Sequence, residues 1–323
     1  MSSGKLIIAL PSKGRLQEQA AALFQRAGLP LRQARGARGY RADIEGLPVA
    51  EVSYLSSSEI AAKLAEGAAH LGITGEDLVR ETIPGADLKI ALLAPRGFGA
   101  ADVVVAVPKS WIDVRCMADL EDAAAIFHAR HGRRMRVATK YVNLTRGFFA
   151  RHGLADYRIV ESLGATEGAP GAGAAELIVD ITTTGATLAA NGLKILDDGL
   201  ILKSEANLAA SLKAAWTAEQ RAAARRVLAH LAAEERARST REVRAALRCA
   251  SSQITAEAIR RFDAAAPAGL SKDFVVLHCP VSRAAELADW LTSKGASTVT
   301  VSPLDYVFAA VNPLQERFEA KLR

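Results

Sequence analysis

Residues 176–196 read ELIVDITTTGATLAANGLKIL, which is a strand, a small polar loop and a helix in immediate succession. The apolar run ends at Asp180 or Ile181, and helical character resumes at about Leu188. Between them Thr182, Thr183, Thr184 and Thr187 offer hydroxyl donors, and Gly185 lets the backbone come close to a ligand oxygen. Amides at a helix start are unpaired and attract anions, so the segment suits a phosphate monoester. It lacks the GxxxxGK(S/T) spacing and lysine of a nucleotide-hydrolysing loop and the GxGxxG fingerprint of dinucleotide sheets. An ordinary strand-to-helix turn capped by threonine accounts for any one of these hydroxyls, less easily for four together.

The surrounding chain repeats the strand and helix alternation. KLIIAL (residues 5–10) reads as a buried strand, and residues 17–27 as a helix, with Ala21, Leu23 and Phe24 apolar and Gly28 ending it. A Gly/Arg-rich turn at 35–40 precedes the strand PVAEVSYL, after which Ser56, Ser57 and Ser58 can cap a helix running to about Glu66. HLGITG, KIALLAP and ADVVVAVP are further β candidates before Trp111. In a second unit RMRVATK, YRIVES and ELIVDI read as strands, with helices over 144–151 and 188–191. This alternation predicts an α/β fold with parallel or mixed sheets. Beyond about Leu200 an Ala/Arg-rich stretch places Ala223, Val227, Leu228 and Leu231 at helical spacing and predicts a helical connector. From Asp273, FVVLHC, AAELADWLTSKG and STVTVS predict a small third βαβ domain.

With 323 residues, half of them hydrophobic and 24% charged, the chain has the makeup of two or three globular domains. The net charge of +6 arises within residues 213–261, which hold eleven Lys/Arg against five Glu. That segment carries one aromatic in its connector helix region, Trp216, rather than the interleaved rings of a nucleic-acid groove, so a solvated helical face is expected. No apolar run reaches the length of a signal core or a membrane span, which predicts a cytoplasmic protein with no membrane partner. Cys116, Cys249 and Cys279 have no metal-ligand spacing and read as incidental thiols.

DITTTGATLAANGL (residues 180–193) resembles the phosphoribosyl pyrophosphate loop of the ATP phosphoribosyltransferase family. Five other stretches are similar to that family's landmarks in the same order: ALPSKGRL (9–16), LGITGEDL (71–78), RGFGAADVVVAVP (96–108), RVATKYVNLTRGFF (136–149) and LGATEGAP (163–170). The likeness covers roughly residues 5–215. It implies a bilobal, periplasmic-binding-protein-like (type II) catalytic core with a small C-terminal α+β domain. Lobe I is expected over 1–105 with a chain return at about 193–215, lobe II over 106–192, and the connector and regulatory-like domain over 216–323.

The resemblance also implies a pentosyltransferase activity that opens L-histidine biosynthesis. N1 of ATP attacks the anomeric carbon of phosphoribosyl pyrophosphate, pyrophosphate leaves, and magnesium, held mainly by that pyrophosphate, offsets its charge. Thr182, Thr183, Thr184, Gly185, Ala186 and Thr187 are expected to cradle the 5′-phosphate, and Asp180 to meet ribose hydroxyls. Glu167 is a second carboxylate for the ribose or metal side. Lys13 and Arg15 offer cations to phosphate oxygens, and Thr139, Tyr141 and Asn143 stand where the second lobe meets the nucleotide. Each has a plain competitor: Lys13 and Arg15 as a solvated loop pair, Tyr141 as a core residue, Asp180 as a turn cap. Adenine N1 carries a lone pair and no proton at neutral pH, so no general base is required.

Three positions depart from the family pattern: His70 for a usual Asp, Ala186 for a larger or basic residue, and Glu176 for Asp. The C-terminal part resembles the histidine-binding domain of long-form members only in its closing strand, helix and strand. Histidine is the expected inhibitor and a homo-oligomer the expected assembly, with a regulatory partner subunit as the other arrangement. A noncatalytic bilobal sensor of a phosphorylated metabolite would keep the loop without needing Lys13, Arg15 and Glu167 together. A phosphoribosyltransferase acting on a free base usually has two adjacent acidic residues before TG, and here only Asp180 is present.

Overall fold

The structure, a computed structural model, describes residues 4–33, 40–162, 164–247, 252–267 and 273–322. Most of the turn expected at 35–40 lies outside the described residues, as do Leu163 and Cys249.

The chain runs through β1 (Leu6–Pro11), α1 (Gly14–Arg26), β2 (Leu31–Gln33), β3 (Arg41–Ile44), β4 (Ala50–Leu55), α2 (Ser57–Glu66), β5 (Leu71–Gly75), α3 (Glu76–Thr82) and β6 (Ile90–Pro95). LIIALP is buried almost throughout because β1 sits between parallel strands β4 and β5 with helices over the sheet. Helix α2 is fixed at its start by reciprocal capping: Ser56 Oγ accepts the Glu59 N–H at 3.3 Å, and Glu59 Oε2 accepts the Ser56 N–H at 2.8 Å. It stops at Gly67, where φ is +79° and a Cβ would lie 2.6 Å from the Lys213 carbonyl oxygen, so only glycine fits.

The chain then crosses to β7 (Asp102–Pro108), α4 (Met117–His131), β8 (Met135–Thr139), α5 (Val142–Arg151), β9 (Tyr157–Glu161), β10 (Leu177–Thr182), α6 (Ala186–Ala190) and β11 (Leu193–Leu202), and returns as β12 (Ala206–Ser211). The first sheet is ordered β2-β3-β4-β1-β5-β12-β6 and the second β11-β7-β10-β8-β9. One plan therefore occurs twice, β4-β1-β5-β12-β6 and β9-β8-β10-β7-β11. Within this shared five-strand plan the antiparallel strand, β12 or β7, is the one that has just arrived from the other lobe; the first sheet also carries antiparallel β3 beside β4. This is the bilobal, type II periplasmic-binding-protein-like arrangement.

Sheet membership places the crossings at about 96–101 and 203–205, not near 105 and 193. The apolar run of β7 is buried at five consecutive positions between β10 and β11, and such a run does not reveal which sheet it enters.

The lobes are joined by directional bonds as well as by the two crossings. Asp77, on α3 in lobe I, accepts the Tyr141 hydroxyl of lobe II at 2.7 Å through Oδ2, and Oδ1 accepts the Ser204 hydroxyl at 3.0 Å. One turn along α3, the two oxygens of Glu81 each accept an amide at the start of α5, from Asn143 and from Leu144, both at 2.9 Å. The Asn143 side-chain amide donates to the Glu81 carbonyl at 2.9 Å. A carboxylate of one lobe thus caps a helix of the other, where the helix dipole favours negative charge.

Beyond the return strand come α7 (Ala218–Ser239), β13 (Thr240–Ala246), α8 (Ser252–Phe262), β14 (Phe274–Pro280), α9 (Ala284–Ser293), β15 (Thr298–Pro303) and α10 (Pro313–Lys321). The expected helical connector ends at Ser239. The next residues form β13, the middle strand of an antiparallel sheet ordered β14-β13-β15. TREVRAA buries Val243 and Ala245 and exposes Arg244, a period of two that arginine-rich flanks obscure in the sequence. Val243, Leu277, Phe262, Leu287 and Leu291 form a separate core beneath α8 and α9. The last helix leaves that unit: Leu314 and Phe318 of α10 join the lobe I core with Val227 and Leu231 of α7, and Arg317 donates to the Leu93 carbonyl at 2.7 Å. Cys116 and Cys279 are free thiols, and no helix among the described residues is long and apolar enough to cross a membrane.

Tyr141 is 1% exposed, so replacing it with Phe keeps the packing and removes one buried hydrogen bond from Asp77. Tyr141→Phe is expected to lower the unfolding free energy by about 1–3 kcal/mol in urea denaturation, and an unchanged midpoint would show that the bond contributes nothing. His70 is buried, and its Nδ1 accepts the Ile7 N–H at 3.1 Å, which requires a neutral ring. Burial pushes its pKa below the ordinary histidine value of 6.5. The unfolded chain then binds the proton more readily, so this contribution is present above 6.5 and is lost as pH falls through 6.5 toward the folded value. Thermal melts should show stability dropping on acidification, with a shallower slope in His70→Gln; parallel slopes would rule His70 out as the cause.

Candidate active site

A cavity of about 310 Å³ opens where β10 gives way to α6. Asp180, Thr182, Thr183, Thr184, Ala186 and Thr187 line it, with Glu167 on one side and Ala100 and Ala101 of the first lobe crossing on the other. Sheet geometry explains the concentration: β10 pairs with parallel β8 on one side and antiparallel β7 on the other, so its loop emerges beside the crossing segment.

The loop holds itself open through its own hydroxyls. Gly185, at φ +75°, donates its N–H to Thr182 Oγ1 at 2.8 Å, and Thr183 Oγ1 donates to the Ala100 carbonyl at 3.0 Å. Thr183, Thr184 and Thr187 remain exposed to the cavity. Helix α6 has only five residues, so its dipole is small and the hydroxyl and loop amide donors carry more of the anion attraction than a long helix would require.

Asp180 is half-buried and accepts the Ile181 N–H at 2.8 Å. Burial raises its pKa above the ordinary carboxylate value; the charge of Glu167 adds to this, while the amide bond and Lys140 oppose it. Glu167 sits on a single 3-10 turn (Thr166–Gly168) entered through Ala165 at φ +50°, a conformation that costs a non-glycine residue roughly 1–3 kcal/mol. Strain of that kind, held beside a cavity, is characteristic of a side chain fixed for use.

The other expected site residues are placed differently. Thr139 is fully buried, with Oγ1 accepting the Tyr141 N–H at 2.9 Å. Tyr141 and Asn143 are committed to Asp77 and Glu81 of lobe I. None of these three lines the cavity; Tyr141 and Asn143 make interlobe contacts, and Thr139 supports Tyr141 from within lobe II. Lys13 and Arg15 are exposed at the start of α1 and do not line the cavity either. They lie on the same side of the molecule, since Leu16 packs against Gly99 in the crossing segment that leads to Ala100. Ala186 adds no hydroxyl to the loop.

Sequence reasoning missed Lys140, whose charge reaches Asp180 and whose Nζ stands 5.1 Å from the Tyr141 ring centre. It also missed Ala100, Ala101, Asp77, Glu81 and Ser204. Asp77 and Glu81 had a legible signal, two carboxylates four residues apart on one helix face. Glu176 is remote from the cavity. Its carboxylate takes bonds from the Arg136 N–H at 2.6 Å and from the Arg133 and Arg136 guanidiniums, and these hold its pKa down at about 2 against the opposing effect of burial.

Residues 56–233 match the family model described as HisG: ATP phosphoribosyltransferase. The chain is 59% identical over 318 residues to the ATP phosphoribosyltransferase of Afipia carboxidovorans, covering 98% of each. It is 58% identical over 320 residues to that of Nitrobacter hamburgensis, again covering 98% of each. Among solved structures, the ATP phosphoribosyl transferase (HisG:HisZ) complex from Thermotoga maritima matches 64% of this chain and 87% of that one, at 24% identity and a TM-score of 0.49. Since the family match spans all of lobe II with its threonine loop, and the relatives match over 98% of their length, the chain belongs to the ATP phosphoribosyltransferase family.

Proposed function

We propose that the chain transfers the phosphoribosyl group of phosphoribosyl pyrophosphate to N1 of ATP, the first step of L-histidine biosynthesis, and that the cavity at 180–188 is where it does so. The observation that carries this reading is the threonine-lined cavity with two carboxylates at one end, in a chain with 59% identity to a relative of that name. In the reaction the adenine N1 lone pair forms a bond to the anomeric carbon. The carbon–oxygen bond to pyrophosphate breaks, and its electron pair leaves with that group.

Thr184, Thr187 and the loop amides are suited to the 5′-phosphate, with Thr183 anchoring the loop to the Ala100 carbonyl, and Asp180 to the ribose hydroxyls as hydrogen-bond acceptor. Lys140 offsets charge near Asp180, and Lys13 and Arg15 are cations for phosphate oxygens on the lobe I side. Asp180 and Glu167 are too few to cage magnesium, which suits an ion carried in on the pyrophosphate. That ion, when bound, neutralises charge growing on the leaving group. With no proton to remove from N1, positioning carries most of the catalysis.

We extend the reading to control by histidine and to a homo-oligomer, both through the C-terminal unit. Strand β15 ends the small sheet with an edge that pairs with no strand among the described residues, whereas the outer edge of β14 is bridged at His278 by Ala265. Inhibition by millimolar histidine tests the first and light scattering the second.

An absorbance assay with ATP, phosphoribosyl pyrophosphate, magnesium and pyrophosphatase tests the reaction itself. Thr184→Ala is expected to reduce kcat/KM roughly 10- to 100-fold, the worth of a hydrogen bond to a charged group, and Asp180→Ala to reduce it at least as far. Full activity in both variants would remove the loop from the active site.

A further inference from the structure

We propose that the arginine-lined cavity beside β8 and β9 is a second anion site in lobe II, one that binds a chain of phosphates. Its volume is about 600 Å³, and Arg133, Arg134, Arg136, Arg146 and Arg158 line it together with Tyr157. It shares no lining residue with the threonine loop. Arg133 and Arg134 lie just before β8, and Tyr157 opens β9, whereas the loop follows the far end of β10, which runs parallel to β8. A strand of that length separates the two cavities by about 15 Å.

The charge in this cavity is not balanced from within. Glu176 serves both Arg133, at 3.1 Å, and Arg136, at 2.8 Å. Asp156 stands 3.9 Å from Arg134 and is bonded at 2.8 Å to His128. Arg146 and Arg158 are exposed and form no ion pair among the described residues. Five guanidiniums therefore face two carboxylates. An open edge strand is often guarded by charge, and β9 is such an edge, but that role would need arginine on β9 alone. Here the guanidiniums converge from three segments: β8 with the residues just before it, helix α5 and strand β9.

Planar guanidinium forks match paired phosphate oxygens. Several forks around one space of this size suit an oligophosphate rather than a single phosphate group. Two sources share that chemistry, free inorganic oligophosphate and the phosphates of a nucleotide; for the second, Tyr157 offers a ring in the wall.

Titration calorimetry of the full-length protein with inorganic triphosphate at low salt tests the site. The double variant Arg146→Glu, Arg158→Glu is expected to bind at least tenfold more weakly, with its melting curve and turnover preserved. The milder pair Arg146→Gln, Arg158→Gln should move the same way and serves if charge reversal disturbs folding. Thr184→Ala should leave this binding within twofold. The proposal is overturned if the arginine variants bind within twofold of the unaltered chain, if Thr184→Ala abolishes the binding instead, or if no triphosphate is taken up below millimolar concentration. ATP also enters the proposed active site, so the source is read from the part of ATP binding that the Arg146→Glu, Arg158→Glu pair removes: affinity equal to that for triphosphate marks the phosphates alone, and a tighter component that is also lost in Tyr157→Ala marks a nucleotide.

Discussion

Two carboxylates on one seven-residue helix join the lobes, and the candidate active-site cavity depends on how they are satisfied. Burying a carboxylate is costly unless its oxygens are bonded. Asp77 meets that condition with the Tyr141 and Ser204 hydroxyls, and Glu81 with the first amides of α5. Hydrogen bonds are directional in a way that apolar contact is not, so these bonds fix the orientation of lobe II on lobe I. The cavity takes its walls from β10 and its loop in lobe II and from the crossing segment at Ala100 and Ala101. A change of lobe angle would separate those walls before it disturbed either core.

The double crossing works in the same direction. Each sheet includes an antiparallel strand that enters from the other lobe, and the first sheet is not complete until the chain has made both crossings and returned as β12. The third unit is tied in by its ends: α7 packs its Ala223, Val227 and Leu231 face on lobe I, and α10 returns to cover the same core after β15. Trp216 and Phe318 meet edge to face at 4.9 Å where those ends converge. Any movement of the small sheet therefore bears on lobe I through two helices, not on a free linker.

What the sequence revealed and what it withheld divide along local and non-local lines. The α/β class, the strands at Leu6–Pro11 and Leu177–Thr182 and the threonine loop were legible because each is written in consecutive residues. The sheet that Asp102–Pro108 joins was not, since a run buried on both faces pairs equally well in either lobe. Strand β13 was hidden because Arg241 and Arg244 flank Val243 in an arginine-rich stretch that also scores as helix. Tyr141 and Asn143 were read as nucleotide contacts, and their protein partners Asp77 and Glu81 were not legible because they lie more than sixty residues away.

The charges around the loop restrict how a phosphoribosyl group could lie in it. Asp180 and Glu167 repel a phosphate dianion, and burial makes that repulsion stronger for Asp180 than at an exposed position. The hydroxyls of Thr184 and Thr187 are neutral donors that attract it without needing a counter-charge, while that of Thr183 is committed to the Ala100 carbonyl. The dianion is therefore driven toward the α6 end of the cavity and the sugar hydroxyls toward the carboxylates. Under the proposed reaction this polarity also favours the transition state, because an anomeric centre gaining positive character near Asp180 is stabilised by the same carboxylate that repels the phosphate. Burial raises the pKa of Asp180, and the bond from the Ile181 N–H and then the charge of Lys140, which lies outside the cavity lining, both favour the carboxylate form on which the orientation rests.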